Sequence, residues 1–278
     1  MAERQGVAKS TLSEDLSLVS RAFREEGLGQ VVSSVGASGG VVFEPMPSAA
    51  RVENLVEELV RRLSDPERRI PGGYLFTSDL VFAPDVSLAV GEVFAAQFRP
   101  ANPDAVVTVE TKGIPLALMT AHFLGKPLVT VRRDSRVTEG PALGINYVSG
   151  SSRIQTMSLP RRALGPGSRV LLVDDFLKAG GTARGVGDLM REFDSQVVGV
   201  CVLVETASPD HKMLDDYFAL LRLDQEGGVT PSPRLTAYRG AYGAGRAKGL
   251  VDTPLNTSFG ADIENPGTVP HPLAEPSR

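Results

Sequence analysis

The stretch Val170-Leu-Leu-Val-Asp-Asp-Phe-Leu-Lys-Ala-Gly-Gly-Thr182 decides the fold. Its four leading apolar residues suit a strand buried on both faces of a parallel sheet, and open α/β sheets bind ligands at the carboxyl ends of such strands. The strand is expected to end at Asp174, so that Asp174 and Asp175 emerge at that edge as an exposed pair. Ionised carboxylates only accept hydrogen bonds, which matches them to a vicinal diol with its two O–H donors. Gly180 and Gly181 permit positive φ and close backbone approach. The amides of Lys178, Ala179, Gly180, Gly181 and Thr182 can therefore ring a phosphate at the start of a helix predicted over Ala183 to Phe193. Diol and phosphate together describe a ribose 5-phosphate.

Two other nucleotide folds share parts of this pattern. A P-loop NTPase needs Gly-x-x-x-x-Gly-Lys-Ser/Thr upstream of the acidic strand, and the chain has no such segment. A dinucleotide fold needs Gly-x-Gly-x-x-Gly, and Gly185-Val-Gly187 and Gly243-Ala-Gly245 both lack the third glycine.

Length and composition set the frame. At 278 residues the chain accommodates an ordinary domain plus a small one. A formal charge of −4 gives no general pull toward nucleic acid or membrane, so local clusters must decide that. The single cysteine, Cys201, lies within the apolar run Val197 to Val204, where it reads as a small buried hydrophobe with no internal disulfide partner. No apolar stretch reaches membrane-span length and the N-terminus has no signal-peptide core, so a cytoplasmic location without membrane contact is expected. His122, His211 and His271 are scattered, giving no metal-ligand spacing; any metal is expected to arrive with a phosphate ligand.

Upstream, Leu12, Leu16, Val19 and Phe23 recur at threes and fours, predicting an amphipathic helix from Ser10 to Glu26, capped by Ser10 or Thr11 and ended by Gly27. Segments Gln30 to Val35 and Val41 to Phe43 flank Gly36-Ala-Ser-Gly-Gly40, predicting a β-hairpin with a glycine-rich tip. Helix followed by hairpin is the back half of a winged helix, in which the helix enters the major groove and the wing meets the DNA backbone or minor groove. A small cap packed on the larger domain is the competing reading. Residues 1–44 carry four basic side chains (Arg4, Lys9, Arg21, Arg24) against six acidic ones, so an isolated module of this kind binds DNA weakly.

Pro45-Met-Pro47 marks a boundary, followed by a helix from Ala49 to Leu63 closed by Asp65-Pro66. Strands near Val106 to Val109, Leu128 to Val131, up to Asp174 and around Cys201 alternate with helices over Ile114 to Phe123 and 183 to 193, which predicts a parallel sheet flanked by helices. The turn Glu110-Thr-Lys-Gly-Ile-Pro115 offers a second anion site, with Lys112 as a point charge. Residues 126–162 hold seven basic side chains against two acidic, and Val137 to Met157 reads as a mobile two-stranded arm able to close over a polyanion. Past Asp224 the composition turns to Gly, Pro, Ala and Ser, so residues 225–278 read as a disordered tail.

The strand, acidic pair and Gly-Gly-Thr loop resemble the phosphoribosyltransferase signature. Together with Pro71-Gly-Gly-Tyr74, Thr111-Lys-Gly-Ile-Pro115, Thr138-Glu-Gly140, Asn146 to Ser152 and Arg153-Ile-Gln-Thr-Met157, the chain from about Glu3 to Leu223 resembles the Gram-positive purine operon repressors. That resemblance implies an α/β fold: a type I phosphoribosyltransferase-like parallel sheet over residues 46–224, preceded by a winged-helix module over 1–45. Family members begin with a further helix and most of another before the Ser10 helix, so the module is expected to lack about its first third. The resemblance also implies a homodimer that binds double-stranded promoter DNA of purine genes. It implies a non-catalytic pocket for phosphoribosyl pyrophosphate (PRPP), with or without Mg2+, whose occupancy relieves repression, and for which guanosine tetraphosphate alarmones compete. By the same resemblance Asp174 and Asp175 hold the ribose hydroxyls, Lys178 to Thr182 the 5-phosphate, Thr111, Lys112 and Gly113 the pyrophosphate, and Tyr74 lines the nucleotide end. The resemblance likewise makes Lys9, Ser10, Thr11, Ser13, Ser33, Ser34 and Ser38 the candidates to face DNA. The rival from another class is a working purine phosphoribosyltransferase, which requires a base-recognition hood that the sequence does not reveal.

Overall fold

The computed structural model describes residues 8–33, 40–133, 140–148 and 154–238. The chain opens with helix α1 (Lys9–Glu25) and the antiparallel pair β1 (Gly29–Ser33) and β2 (Val41–Pro45). The expected hydroxyl cap is absent: Ala8 occupies the N-cap position and no side chain caps the helix. Ser10 already sits inside the first turn, where its hydroxyl cannot reach forward as one in extended backbone does. The buried stripe also differs by one residue. Val19 is 44 % exposed, whereas Ser20 turns inward and its hydroxyl accepts the Val31 N–H at 3.2 Å. A two-stranded hairpin covers only a narrow strip of helix, and Leu12, Leu16, Ser20 and Phe23 fill it. The hairpin tip, with Ser34 and Ser38, lies outside the described residues.

Helix α2 (Ala49–Leu63) follows, capped by Ser48, whose hydroxyl accepts from Arg51 N at 3.4 Å, and burying Val52, Val56, Leu59 and Leu63. Between it and the first central strand lie elements that periodicity leaves unmarked: the short hairpin β3 (Arg69–Ile70) and β4 (Tyr74–Leu75), the single turn α3 (Ser78–Val81) and helix α4 (Pro84–Phe98). Most of α4 is buried around its whole circumference, and such a helix has no polar face to set up a 3.6-residue alternation. At Gly91 it packs so closely on the next helix, α5 (Ile114–Leu124), that a Cβ there would lie 2.8 Å from Thr120 N.

The central sheet contains β5 (Ala105–Val109), β6 (Leu128–Val131), β9 (Arg169–Leu177), β10 (Gln196–Thr206), β11 (Phe218–Leu223) and β12 (Val229–Pro231), in the spatial order β12-β11-β10-β9-β5-β6. All neighbours are parallel except β12, which runs antiparallel to β11. Alternate residues feed two cores: Val106, Leu171, Val173 and Leu203 face α2, α4 and α5, while Val107, Leu172, Val200 and Val202 face α6 (Gly181–Glu192). Both faces are therefore covered, as parallel sheets require. The arm is the antiparallel pair β7 (Ala142–Val148) and β8 (Ile154–Pro160), seated on α6 where Gly185 leaves room for Tyr147 and Met157.

Two boundaries move. Strand β9 continues past Asp174 to Leu177 because β10 pairs with it as far as Glu205↔Leu177. The ordered chain also extends beyond Asp224: β12 pairs with β11, and Ser232 is buried before a 3-10 turn over Pro233–Ala237. Composition missed this because three residues completing a sheet edge carry no period of their own. Residues 239–278 lie outside the described part.

Candidate functional site

A cleft of about 780 Å³ opens at the carboxyl ends of β5 and β9. Asp174, Asp175, Lys178, Ala179, Gly180, Gly181, Thr182, Thr111, Lys112 and Tyr74 all line it. Gly113 lies beneath rather than on the wall: a Cβ there would run into the Thr108 hydroxyl and stand 2.9 Å from Asp174 Oδ1. Only glycine allows the β5 turn to approach the acidic strand this closely.

The carboxylates are half-buried rather than exposed, because the β3–β4 hairpin and residues 110–112 wall the end of β9. Asp174 Oδ1 accepts the Asp175 N–H at 2.9 Å. Asp175 Oδ2 accepts the hydroxyl of Thr77 at 3.3 Å. Burial, followed by the adjacent Asp175 charge, raises the Asp174 carboxyl well above its ordinary range. Burial raises Asp175 too, opposed by the ammonium of Lys112. A folded-state pKa above the unfolded value means the empty cleft costs stability as pH rises through that value and recovers it as pH falls. Binding a diol runs the other way, since only the ionised pair accepts both hydroxyl protons. Asp174→Asn is accordingly expected to stabilise the empty protein by about 1 kcal/mol at neutral pH, since a carboxylate whose pKa is raised by burial costs stability when ionised. Urea unfolding of the two proteins checks this; a variant no more stable than its parent contradicts it.

Beyond the acidic pair the chain turns into the loop predicted to hold an anion. Gly180 sits at φ +86° as the N-cap of α6, a conformation that favours glycine, and the first amides of α6 have no intrahelical partner. The Glu110–Thr111 peptide across the cleft is cis. Glu110 is tied down by Arg132 at 3.4 Å and by the Arg133 N–H at 2.9 Å, so part of the arginine-rich stretch braces this turn rather than meeting solvent. Arg133 and Gln155 themselves line the cleft.

Several site residues had no mark in the sequence. Thr77 is fully buried 98 positions from its partner Asp175. Phe176 stacks with Tyr74 at 5.4 Å between ring centroids, and Ile70 completes this apolar end. Lys178 reaches back to the hairpin, donating to Gly72 O at 2.6 Å and standing 4.7 Å from the centre of the Tyr74 ring. The β3–β4 hairpin, anchored by the paired contacts of Arg68 with Asp79 at 2.7 and 2.6 Å, is thus a hood over the cleft, which the sequence did not reveal. Its strands are two residues each, too short for any alternation to be read. Among the described residues no group of three His, Cys, Asp or Glu converges as a metal site, and no helix is long and apolar enough to cross a membrane.

On the N-terminal module, Lys9 opens α1; Ser10, Thr11 and Ser13 are exposed on its first turns, and Ser33 is exposed at the end of β1. Ser10, Thr11, Ser13 and Ser33 are not among the residues that line the cleft.

Comparison with known proteins places both parts. Residues 83–231 match the phosphoribosyl transferase domain, and residues 1–45 match the family described as bacterial purine repressor, N-terminal. The purine biosynthesis transcriptional repressor PurR of Bacillus subtilis is 47 % identical over 222 residues, covering 80 % of this chain and 78 % of that protein. The purine biosynthesis transcriptional activator PurR of Lactococcus lactis subsp. lactis is 40 % identical over 220 residues, covering 79 % of this chain and 81 % of that protein. A xanthine phosphoribosyltransferase of Deinococcus deserti is 35 % identical over 143 residues, covering 50 % of this chain and 74 % of that enzyme.

Proposed function

The chain belongs to the family of bacterial purine biosynthesis regulators, and on that premise we propose that it is a repressor of purine genes that binds promoter DNA through residues 1–45 and is released by PRPP. The observation that carries this reading is one cleft lined by both the acidic pair and the glycine turn Lys178 to Thr182, with Lys112 near enough to lower the Asp175 pKa. Asp174 and Asp175 take the ribose hydroxyls, Lys178 to Thr182 the 5-phosphate, and Thr111 to Gly113 the pyrophosphate, with any Mg2+ carried in on the diphosphate. The Tyr74–Phe176 pair suits a purine ring, so guanosine tetraphosphate alarmones compete for the same cleft. The working unit is a homodimer, as DNA half-sites favour.

Titrating a purine-gene promoter fragment with the full chain, with and without PRPP, tests the proposal. A coupling typical of allosteric linkage, about 1–3 kcal/mol, shifts DNA affinity roughly 5- to 150-fold. Equal affinity in both titrations ends the sensor reading. Since named relatives include both a repressor and an activator, a promoter-fused reporter fixes the sign: output rising when the gene is deleted means repression.

A second reading has its own support. The hood over the cleft and the similarity to a xanthine phosphoribosyltransferase favour a working enzyme that joins a purine base to PRPP. Nucleotide formed from PRPP and xanthine, and abolished by Asp174→Asn, would establish it; no turnover leaves a binding protein.

A further inference from the structure

The segment that completes the sheet does more than close its edge. Glu205, only 4 % exposed at the end of β10, accepts from Tyr217 Oη at 2.6 Å and from Ser232 Oγ at 2.5 Å. Ser232 Oγ in turn accepts the Arg234 N–H at 3.1 Å, capping the 3-10 turn that ends at Ala237. Gln97 holds that turn by donating to Ala237 O at 3.1 Å. The next residue is Tyr238. Its ring packs against Phe218, 6.3 Å away, and its hydroxyl donates to Pro47 O at 3.0 Å.

Pro47 lies in the tether between β2 and α2, and the same tether is bonded to the N-terminal module. Met46 N–H donates to Leu28 O and Ser48 N–H to Gly27 O, each at 3.0 Å. The other end of the series reaches the anion loop. Thr206, which follows Glu205, accepts Lys212 Nζ at its carbonyl at 2.8 Å, and the Met213 N–H donates to Ala179 O at 2.8 Å. A series of hydrogen bonds joined by short stretches of chain therefore runs from the glycine turn at Ala179, through the 205–234 cluster, to the strand end that carries the helix–hairpin module.

We propose that the Tyr238 hydroxyl is a clasp on this tether, and that occupancy of the anion loop alters the placement of the N-terminal module by acting on that clasp. Tyr238 is a positioning residue, since it touches neither the cleft nor the exposed face of α1. Its phenol remains a donor across the physiological range because burial, and then the nearby Glu92 carboxylate, raise its pKa. The transmission half of the inference rests on the regulator reading above; the clasp itself does not.

The test is Tyr238→Phe in the full chain, which deletes the hydroxyl and keeps the ring against Phe218. Loss of one such bond is expected to speed hydrogen exchange at the Met46 and Ser48 amides roughly 2- to 10-fold. PRPP affinity should stay within about twofold of the parent, and the PRPP-induced change in promoter affinity should shrink by at least about fivefold toward none. Unchanged exchange at both amides overturns the clasp. Faster exchange with an undiminished PRPP effect overturns its part in transmission. A parent protein whose promoter affinity ignores PRPP overturns the regulator reading instead, and exchange still judges the clasp.

Discussion

Asp175→Asn is expected to weaken PRPP binding roughly 30- to 150-fold, about 2–3 kcal/mol, while promoter affinity without ligand stays at the parental level. The substitution keeps volume and one carbonyl-like oxygen, so the contact with the Thr77 hydroxyl survives in shape. On the proposed reading it removes the charge that strengthens a ribose hydroxyl bond and turns an N–H toward a group that also needs to donate. The effect stays local because Asp175 lies at the cleft end of β9, and the described residues of the N-terminal module are outside the cleft lining. In cells the variant should keep purine genes repressed when PRPP is abundant. Calorimetry with PRPP and promoter titration together decide the matter: lost promoter binding means that Asp175 also supports the fold, and undiminished PRPP affinity means that the diol is held elsewhere.

Glu205→Ala should be the most damaging single change to stability, costing about 3–5 kcal/mol. The side chain is almost fully buried and both its oxygens are committed, to Tyr217 and to Ser232. Arg234 lies 3.9 Å from the carboxylate and spreads over the Tyr217 ring at 3.6 Å. Burial, with the bond to Glu205, pushes the Tyr217 phenol up to about 12, so it is a dedicated donor at neutral pH. Truncation removes the acceptor of two buried hydroxyl donors and the nearby carboxylate of Arg234, and orphaned buried groups keep their desolvation cost. A loss of that size lowers the melting temperature of a chain this long on the order of 10 °C. Glu205→Gln should lose about half as much, since its amide oxygen still accepts one hydroxyl. Urea unfolding with an unchanged dependence on denaturant measures both; an alanine variant within about 1 kcal/mol of the parent would show the cluster to be dispensable.

Legibility followed the length and regularity of each element. Helix α2 spans Ala49–Leu63, where the Pro45-Met-Pro47 boundary and the Asp65-Pro66 stop put it, and the structure adds its buried stripe of Val52, Val56, Leu59 and Leu63 behind the Ser48 cap. Strands β5, β6, β9 and β10 were visible as unbroken apolar runs, and the glycine turn as adjacent glycines before a helix; the parallel strand β11 was not foreseen. The hood was not visible, because a pair of two-residue strands carries too few positions to alternate. Helix α4 was hidden for the opposite reason, being apolar nearly all round. The edge strand β12 lay within a composition that reads as tail, and only its pairing with β11 gives it order.

By itself the chain's order of residues determined most of the strands of the parallel sheet, the acidic pair and the glycine turn, because each is marked by its own local run of residues. What only the tertiary structure decided is which distant groups finish the site and how its parts connect: Thr77 beneath Asp175, Lys178 drawn to Gly72, and Tyr238 holding Pro47 across 191 positions. Such contacts arise from packing two covered faces onto one sheet, and no local period encodes them.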